Sequence, residues 1–382
     1  MNKKLNAVIA IDSFKGSLSS LEAGNAAAEG IRRVFPEADT IIRPVADGGE
    51  GTIDALAAGL GGKFIEAEVT DPIGRKITAK YGVLPDSTAV IEMAAASGIT
   101  LLSENEKNPM LTTTYGTGEL ILDAINRGCR NFIIGIGGSA TNDGGVGCLQ
   151  ALGFGMLDCN GQQIDYGAKG LSQLVKITDT NVIDELKECT FHVACDVTNP
   201  LCGDSGCSAV FAPQKGADSS MVRLMDEYLR SYAELSKSYA TSASPDTAGA
   251  GAAGGLGFAL MYYLNAKLES GVQLIMRETK LEEAIKNADI VITGEGCLDS
   301  QTAMGKAPVG IAKIAKKYGK TVIAFCGGVR TGAELCNRNG IDAYFPIVRN
   351  VCDLEQAMDA SNAYKNLSDT AEQVFRLIDI IK

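Results

Sequence analysis

The chain contains a single histidine, His192, in 382 residues. That scarcity nearly excludes a histidine-ligated zinc site and leaves one residue to serve any Ser-His-Asp or Cys-His mechanism. No nucleophile elbow accompanies His192. It lies in a strand-like run, 190–195, and reads as a core histidine. None of the eleven cysteines forms a C-x-x-C pair; the closest spacing is Cys202-x4-Cys207. An odd number of scattered cysteines suits structural or incidental thiols in a reducing cytoplasm. Basic charge is also short. Thirty-five Lys and Arg face 46 Asp and Glu, for a net charge of −11. Nucleic acid and anionic membrane surfaces are therefore not expected partners, since both need a basic surface. No long apolar run is present. The longest uncharged window, 247–266, holds five glycines and reads as a buried small-residue helix rather than a membrane span. The apolar run near the N-terminus is broken early by Asp12 and Lys15, with no small-residue cleavage site after it, so a secretory leader is not expected. No G-X-Y period and no internal repeat of fixed length occur.

Glycine is what the chain has in excess: 44 residues, where an average chain carries roughly 7%. The glycines fall in short clusters, which predicts tight loops where backbone comes close to a ligand. Apolar residues make up 46% and charged residues 21%, the profile of a soluble globular protein. The length exceeds what one core usually holds and predicts two domains.

Apolar, strand-like runs occur at 7–11, 40–45, 290–293, 322–325 and 343–348, separated by helical patterns such as 307–318. Ser19 with Glu22 forms a capping-box signature, followed by Leu21, Ala27, Ile31 and Val34 on one helical face. This alternation predicts βαβ units and a parallel sheet. The middle has its own strand candidates at 64–69, 89–93, 132–136 and 191–194, and the polar stretch 236–244 reads as a surface loop. The fold class is therefore α/β, with two domains. One is discontinuous, 1–60 plus 285–382, and the other, 61–284, is inserted in it. Two consecutive domains split near residue 150 are the alternative.

In an open parallel sheet, ligands bind beyond the carboxyl ends of the strands. Five predicted strand ends carry acidic, hydroxyl or glycine residues: Asp12-Ser13-Phe14-Lys15-Gly16-Ser17, Asp47-Gly48-Gly49-Glu50-Gly51-Thr52, the 137–145 loop, Asp196-Val197-Thr198-Asn199-Pro200 and Gly294-Glu295-Gly296-Cys297-Leu298-Asp299. The 137–145 loop is the strongest phosphate candidate. Its glycines let backbone N–H groups share one space, and Ser139 and Thr141 add hydroxyl donors. Lys15, Arg75, Lys215 and Lys306, each beside a glycine, are the natural local cations. Familiar nucleotide motifs fail. Gly319-Lys320-Thr321 lacks the P-loop's first glycine, and Gly249-x-Gly251-x-x-Gly254 follows a polar segment rather than a strand. Asp246-Thr247-Ala248-Gly249-Ala250-Gly251 resembles the ribokinase signature, but Ala252 stands where the catalytic Asp would be.

Asp12-Ser13-Phe14-Lys15-Gly16-Ser17, Ala46-Asp47-Gly48-Gly49-Glu50-Gly51-Thr52, Gly116-Thr117-Gly118-Glu119-Leu120, Gly137-Gly138-Ser139-Ala140-Thr141-Asn142-Asp143-Gly144-Gly145, Pro213-Gln214-Lys215-Gly216, Gly249-Ala250-Gly251-Ala252-Ala253-Gly254-Gly255 and Thr293-Gly294-Glu295-Gly296 occur in this order. Together they resemble the motif set of bacterial glycerate kinases, type I, over nearly the whole chain. Ile11 departs from the proline expected before Asp12. The resemblance implies ATP-dependent phosphorylation of D-glycerate with Mg²⁺, 2-phosphoglycerate being the favoured product, in a cleft between domains. It also implies a flavodoxin-like (Rossmann-like) domain carrying an inserted α/β domain with a restriction-endonuclease-like core. A kinase of another small hydroxy acid or sugar, or a non-catalytic small-anion sensor, is the alternative.

Phosphoryl transfer depends on positioning and charge neutralisation. Asp196, beside Thr198 and Asn199 after a buried strand, is the candidate general base, and its role is interchangeable with that of Asp12. Lys15 joins them as a catalytic candidate. Lys15 and Arg75 are candidates for the glycerate carboxylate, with Ser13, Thr198 and Asn199 also substrate-binding. Gly137, Gly138, Ser139, Thr141, Lys215, Gly294 and Gly296 are candidates for ATP phosphates. Asp47, Glu295 and Asp299 are candidates for Mg²⁺, which prefers oxygen ligands. The expected partners are D-glycerate and ATP, and a homo-oligomer is compatible with the sequence.

Overall fold

The computed structural model describes residues 4–46, 51 and 54–381. Its contacts divide the chain into two compact units. The first comprises 4–46, 54–61 and 272–381; the second comprises 51 and 62–271.

The first unit is built on a fully parallel five-stranded sheet. Its strands are β1 (Asn6–Ile11), β2 (Asp39–Ile42), β11 (Ile290–Leu298), β12 (Thr321–Val329) and β13 (Ala343–Pro346), in spatial order β13-β12-β11-β1-β2. Ranked along the chain, this order is 2-1-3-4-5. Both faces are covered, so the central strands are apolar throughout: Ala7 to Ile11 are all buried. Ser19 caps the helix Ser20–Val34 with the capping box expected from Glu22. The buried face of that helix is smaller than the sequence pattern suggests. Ala23, Gly24, Ala26, Ala27, Gly30 and Ile31 are buried, while Leu21 and Val34 are only half-buried. Small residues let the helix Ala360–Ile381 cross closely. A Cβ on Gly30 would overlap the carbonyl oxygen of Ser368.

The helices Gly271–Glu278 and Leu281–Asn287 belong with this unit. Val272, Met276, Leu281 and Ile285 pack into the same core as Val8, Val291 and Val309. The unit therefore resumes at 272, thirteen residues before the boundary read from the sequence at 285.

The second unit carries a six-stranded sheet in the order β10-β9-β6-β5-β4-β3. Its strands are β3 (Lys63–Thr70), β4 (Lys76–Val83), β5 (Thr88–Glu92), β6 (Asn131–Gly135), β9 (Thr190–Ala194) and β10 (Lys267–Glu269). β3, β4 and β5 are antiparallel neighbours; β5, β6, β9 and β10 run parallel. A small hairpin, β7 (Gly155–Leu157) with β8 (Lys176–Thr178), stands apart. Phe132 and Phe191 are register partners on β6 and β9 and stack with ring centroids 4.8 Å apart. His192 is not a core residue. It is half-buried, with Nδ1 2.6 Å from the Glu269 carboxylate across the β9–β10 pair. The 247–266 window does hold a helix, Ala252–Tyr263, but Ala253, Gly254 and Gly255 have left-handed backbone that breaks its first turn. The 236–244 stretch begins with Ser236 buried at the end of the helix Ser219–Ser236, where it binds Tyr263, and only then turns into loop.

All eleven cysteines are free thiols. Among the described residues, no helix is long and apolar enough to cross a membrane.

At an exposed helix position, Gly→Ala gains about 0.5–1 kcal/mol. At Gly30 the added methyl meets backbone, and overpacking of this kind costs about 1–3 kcal/mol. Gly30→Ala should therefore lower the urea midpoint of the first unit; a raised midpoint would show that the two helices do not cross as closely as described.

Candidate active site

In the first unit, the polar residues gather where β1 stops and β11 continues. Ile11 pairs with Gly294, and the Asp12 N–H donates to the Gly294 carbonyl at 2.9 Å. β11 then runs on through Leu298, paired with β12. The sequence places the end of this strand at Thr293, so Glu295 lies inside a strand rather than in a loop. The reason is that β12 continues alongside to Val329 and supplies the ladder. The free side of β11 is occupied by the loop after β1. Phe14 and Leu18 close that loop by backbone hydrogen bonds, and the Phe14–Lys15 backbone passes 3.6–3.7 Å from where a Cβ on Gly296 would stand. Gly16 takes φ +77°, a left-handed turn that glycine allows without strain. Ser20 Oγ donates to the Ile11 carbonyl and accepts from the Val45 N–H, which ties the end of β1 to the segment after β2.

Asp12 is buried and accepts from its neighbour, the Ser13 N–H, at 2.7 Å; Ser13 is half-buried and Lys15 exposed. Glu295 is buried and accepts from Thr302 Oγ at 2.5 Å. Burial pushes its carboxyl above the usual range, opposed by the Thr302 hydroxyl and by Lys306. Asp299 caps the short helix Ser300–Ala303, and the Thr302 backbone N–H leads the contacts that hold its carboxyl below the usual range. Lys306 Nζ lies 4.0 Å from both carboxylates. Ser17 Oγ and Thr293 Oγ are buried at this edge without a hydrogen-bond partner, as befits groups that a ligand or water completes. Asp47 lies outside the described residues.

In the second unit, the 137–145 loop follows β6. Gly137 and Gly138 are exposed, Ser139 is half-buried, and residues 140–145 are buried. The loop is anchored by Ile99 N–H to the Gly138 carbonyl at 2.8 Å and Ala140 N–H to the Ser97 carbonyl at 2.9 Å. Asp143 is fully buried. Its carboxylate accepts from Thr114 N–H and Oγ, both 2.8 Å, from Gly145 N–H at 3.1 Å and from Gly147 N–H at 3.3 Å. One carboxylate thus serves the starts of two helices, Tyr115–Asn126 and Val146–Ala151, where negative charge is favoured. Burial raises its pKa, and those four donors oppose the rise. Gly254, with φ +65°, lets its own backbone lie against Thr141 and accept from Gly144 N–H at 2.9 Å. Thr141 Oγ and Asn142 Oδ1 are buried without a partner.

Beside this loop, the end of β9 pairs with the end of β6 (Gly135 with Ala194), which puts the 196–199 segment on the same sheet edge. Asp196 is exposed and accepts from Gly271 N–H at 3.2 Å; Thr198 is exposed; Asn199 Nδ2 donates to the Ser205 carbonyl at 2.8 Å. Arg75 sits in the β3–β4 turn. Its guanidinium binds Asp71 at 2.5 Å, Glu106 at 2.8 Å and the Leu101 carbonyl at 3.3 Å, so it orders that turn.

A model of the glycerate kinase family matches residues 7–379. The chain belongs to the glycerate kinase family. A glycerate kinase of Haemophilus influenzae is 47% identical over 372 residues, 97% of this chain and 98% of its own. A glycerate 2-kinase of Escherichia coli is 46% identical, with 96% of each chain covered. A crystal structure of a protein from Salmonella typhimurium LT2, assigned as a candidate glycerate kinase 2, superposes with a TM-score of 0.91 at 43% identity, covering 99% of both chains.

Within this family chain, the structure brings together Asp12, Ser13, Lys15, Gly294, Glu295, Gly296, Asp299 and Lys306 in one unit. In the other it groups Gly137, Gly138, Ser139, Thr141 and Lys215 beside the 196–199 segment. Sequence reading missed Thr302, which holds Glu295, and the roles of Thr114 and Asp143, which shape the 137–145 loop. Thr302 stands three residues after Asp299, a capping spacing that could have exposed it.

Thr302→Val removes the donor to the Glu295 carboxylate. Loss of a partner by a buried acceptor costs about 1–3 kcal/mol, and the charged form loses more than the neutral one. The variant should be less stable, and the Glu295 carboxyl should titrate at higher pH than in the native protein. Carboxyl ¹³C shifts followed against pH measure this; an unchanged titration would contradict the contact.

Proposed function

We infer that the protein is a glycerate kinase, transferring the γ-phosphoryl group of ATP to the 2-hydroxyl of D-glycerate. The observation that carries this reading is the full-length family match, which includes the motif blocks of both units. The name of the Escherichia coli relative supports the 2-position. The 2-1-3-4-5 strand order supports a flavodoxin-like first unit, whose ligand edge lies where the chain order reverses, between β1 and β11. That is where Asp12, Lys15 and Glu295 gather. The restriction-endonuclease-like core of the inserted unit is carried over from the family resemblance.

In this reading Asp196 accepts the proton of the substrate hydroxyl. It is exposed at a strand end, with Thr198 and Asn199 close in sequence to orient the hydroxy acid. Asp12 is the alternative candidate for that role, and Ser13 and Lys15 are the candidates for holding the substrate carboxylate. The N–H groups of the exposed Gly137 and Gly138 and the Ser139 hydroxyl hold ATP phosphates, with Gly294 and Gly296 on β11 the further glycine candidates. Glu295 and Asp299 offer hard oxygen donors that suit Mg²⁺, an ion that takes one or two carboxylates together with phosphate oxygens. When bound, Mg²⁺ neutralises phosphate charge. Arg75, held by Asp71 and Glu106, keeps its place as a substrate candidate only through its exposed edge.

With D-glycerate and ATP, the purified protein should release ADP, and ³¹P NMR should show the 2-phosphate ester. Asp196→Asn should fold and lose about 10²–10⁴ in kcat, the usual cost of losing a general base. Activity within about tenfold of native would assign the base elsewhere, and absence of D-glycerate-dependent turnover in the native protein would overturn the functional reading itself.

A further inference from the structure

Lys215 resembles a phosphate-binding lysine in sequence, but its ammonium does not face solvent. Lys215 ends the turn Pro213–Lys215 and is 2% exposed. Gly216 follows with φ +95°, and a Cβ there would overlap the Lys107 carbonyl, so the turn is held close against the protein. Nζ donates to Ser139 Oγ at 2.7 Å and to the Thr141 carbonyl at 2.6 Å. Both acceptors belong to the glycine loop.

We propose that Lys215 is a positioning residue that acts through Ser139. A hydroxyl that accepts from an ammonium has its own proton free to donate elsewhere. Ser139 is half-buried beside the exposed Gly137 and Gly138, so that proton is directed to the same open side as their N–H groups. Lys215 thereby turns Ser139 into an oriented donor, and its second bond fixes the loop backbone two residues further on. Burial pushes the Lys215 pKa down to about 8, and the Asp143 carboxylate opposes the shift. Cys207 is pushed up to about 12 by burial and stays a thiol over the range that matters. Lys215 is therefore expected to be a charged donor to Ser139 below about pH 8 and to lose that charge above it.

This proposal rests on reading the 137–145 loop as the holder of ATP phosphates, and the test separates the two. KM for ATP is measured on the full-length enzyme for the native protein, Ser139→Ala, Lys215→Met and the double variant. A hydrogen bond to a charged group is worth about tenfold or more. Ser139→Ala and Lys215→Met should each raise KM for ATP about tenfold, and the double variant should also show about tenfold rather than about a hundredfold, because the two act as one unit. KM for D-glycerate should stay within about twofold, which a general loss of structure would not allow. In the native enzyme KM for ATP should rise as pH passes about 8, and in Lys215→Met it should be flat. A hundredfold effect in the double variant means that Lys215 acts on ATP independently, and overturns the proposal. An unchanged KM for ATP in Ser139→Ala overturns the loop reading instead. If Lys215→Met does not fold, Lys215→Gln, alone and combined with Ser139→Ala, is read by the same criterion.

Discussion

The offset between two parallel strands sets the chemistry of the first unit. β1 ends at Ile11, beside Gly294, while β11 continues to Leu298 on the support of β12 alone. A Cβ on Gly294 would overlap the Phe325 carbonyl, so only glycine permits the register at that step. Beyond it, the uncovered side of β11 must be filled, and the closed 12–18 loop fills it. Glu295 is buried because of this roof. Its raised pKa, its hydrogen bond from Thr302 and its neighbour Lys306 all follow from that burial.

The second unit solves a related problem with buried charge. The 137–147 segment changes direction several times with little exposed surface, which would strand backbone N–H groups. Asp143 collects four donors there, two of them backbone N–H groups within its own turn. Lys215 collects acceptors from the same loop. Both charges are costly to bury, and both are retained with hydrogen bonds that offset the cost. The result is a loop whose glycine tip is open while its base is fixed, the arrangement a phosphate site needs.

Much of the architecture was legible because its signals are local. The parallel strands 7–11, 290–293 and 322–325 are apolar runs, as strands buried on both faces must be. The Ser19–Glu22 capping box is a four-residue pattern and appears as written. β4 was equally legible and was missed, since Ile77, Ala79, Tyr81 and Val83 alternate inward. The extent of β11 was not legible, because it depends on β12 running alongside and on nothing in its own residues. The same holds for the first unit's resumption at 272, set by where Val272 and Met276 find a core. Among site residues, types and positions could be read, but partners could not. Nothing in Gly74-Arg75 announces Asp71 and Glu106, and nothing beside Lys215 announces that its ammonium turns inward. The contacts of Arg75 with Glu106 and of Lys215 with Ser139 join residues tens of positions apart and are settled only by packing.

The central claim is that the end of β11 is a reacting edge of the molecule, with Glu295 as its held carboxylate. Glu295→Gln preserves shape and removes the charge. Single-turnover phosphoryl transfer from ATP to D-glycerate, measured with the unfolding midpoint as a control for folding, tests this most directly. A folded variant should transfer phosphate about 10²-fold or more slowly, as expected when one of the carboxylates that would hold Mg²⁺ against the phosphates is lost. A folded variant that transfers phosphate at the native rate would contradict it.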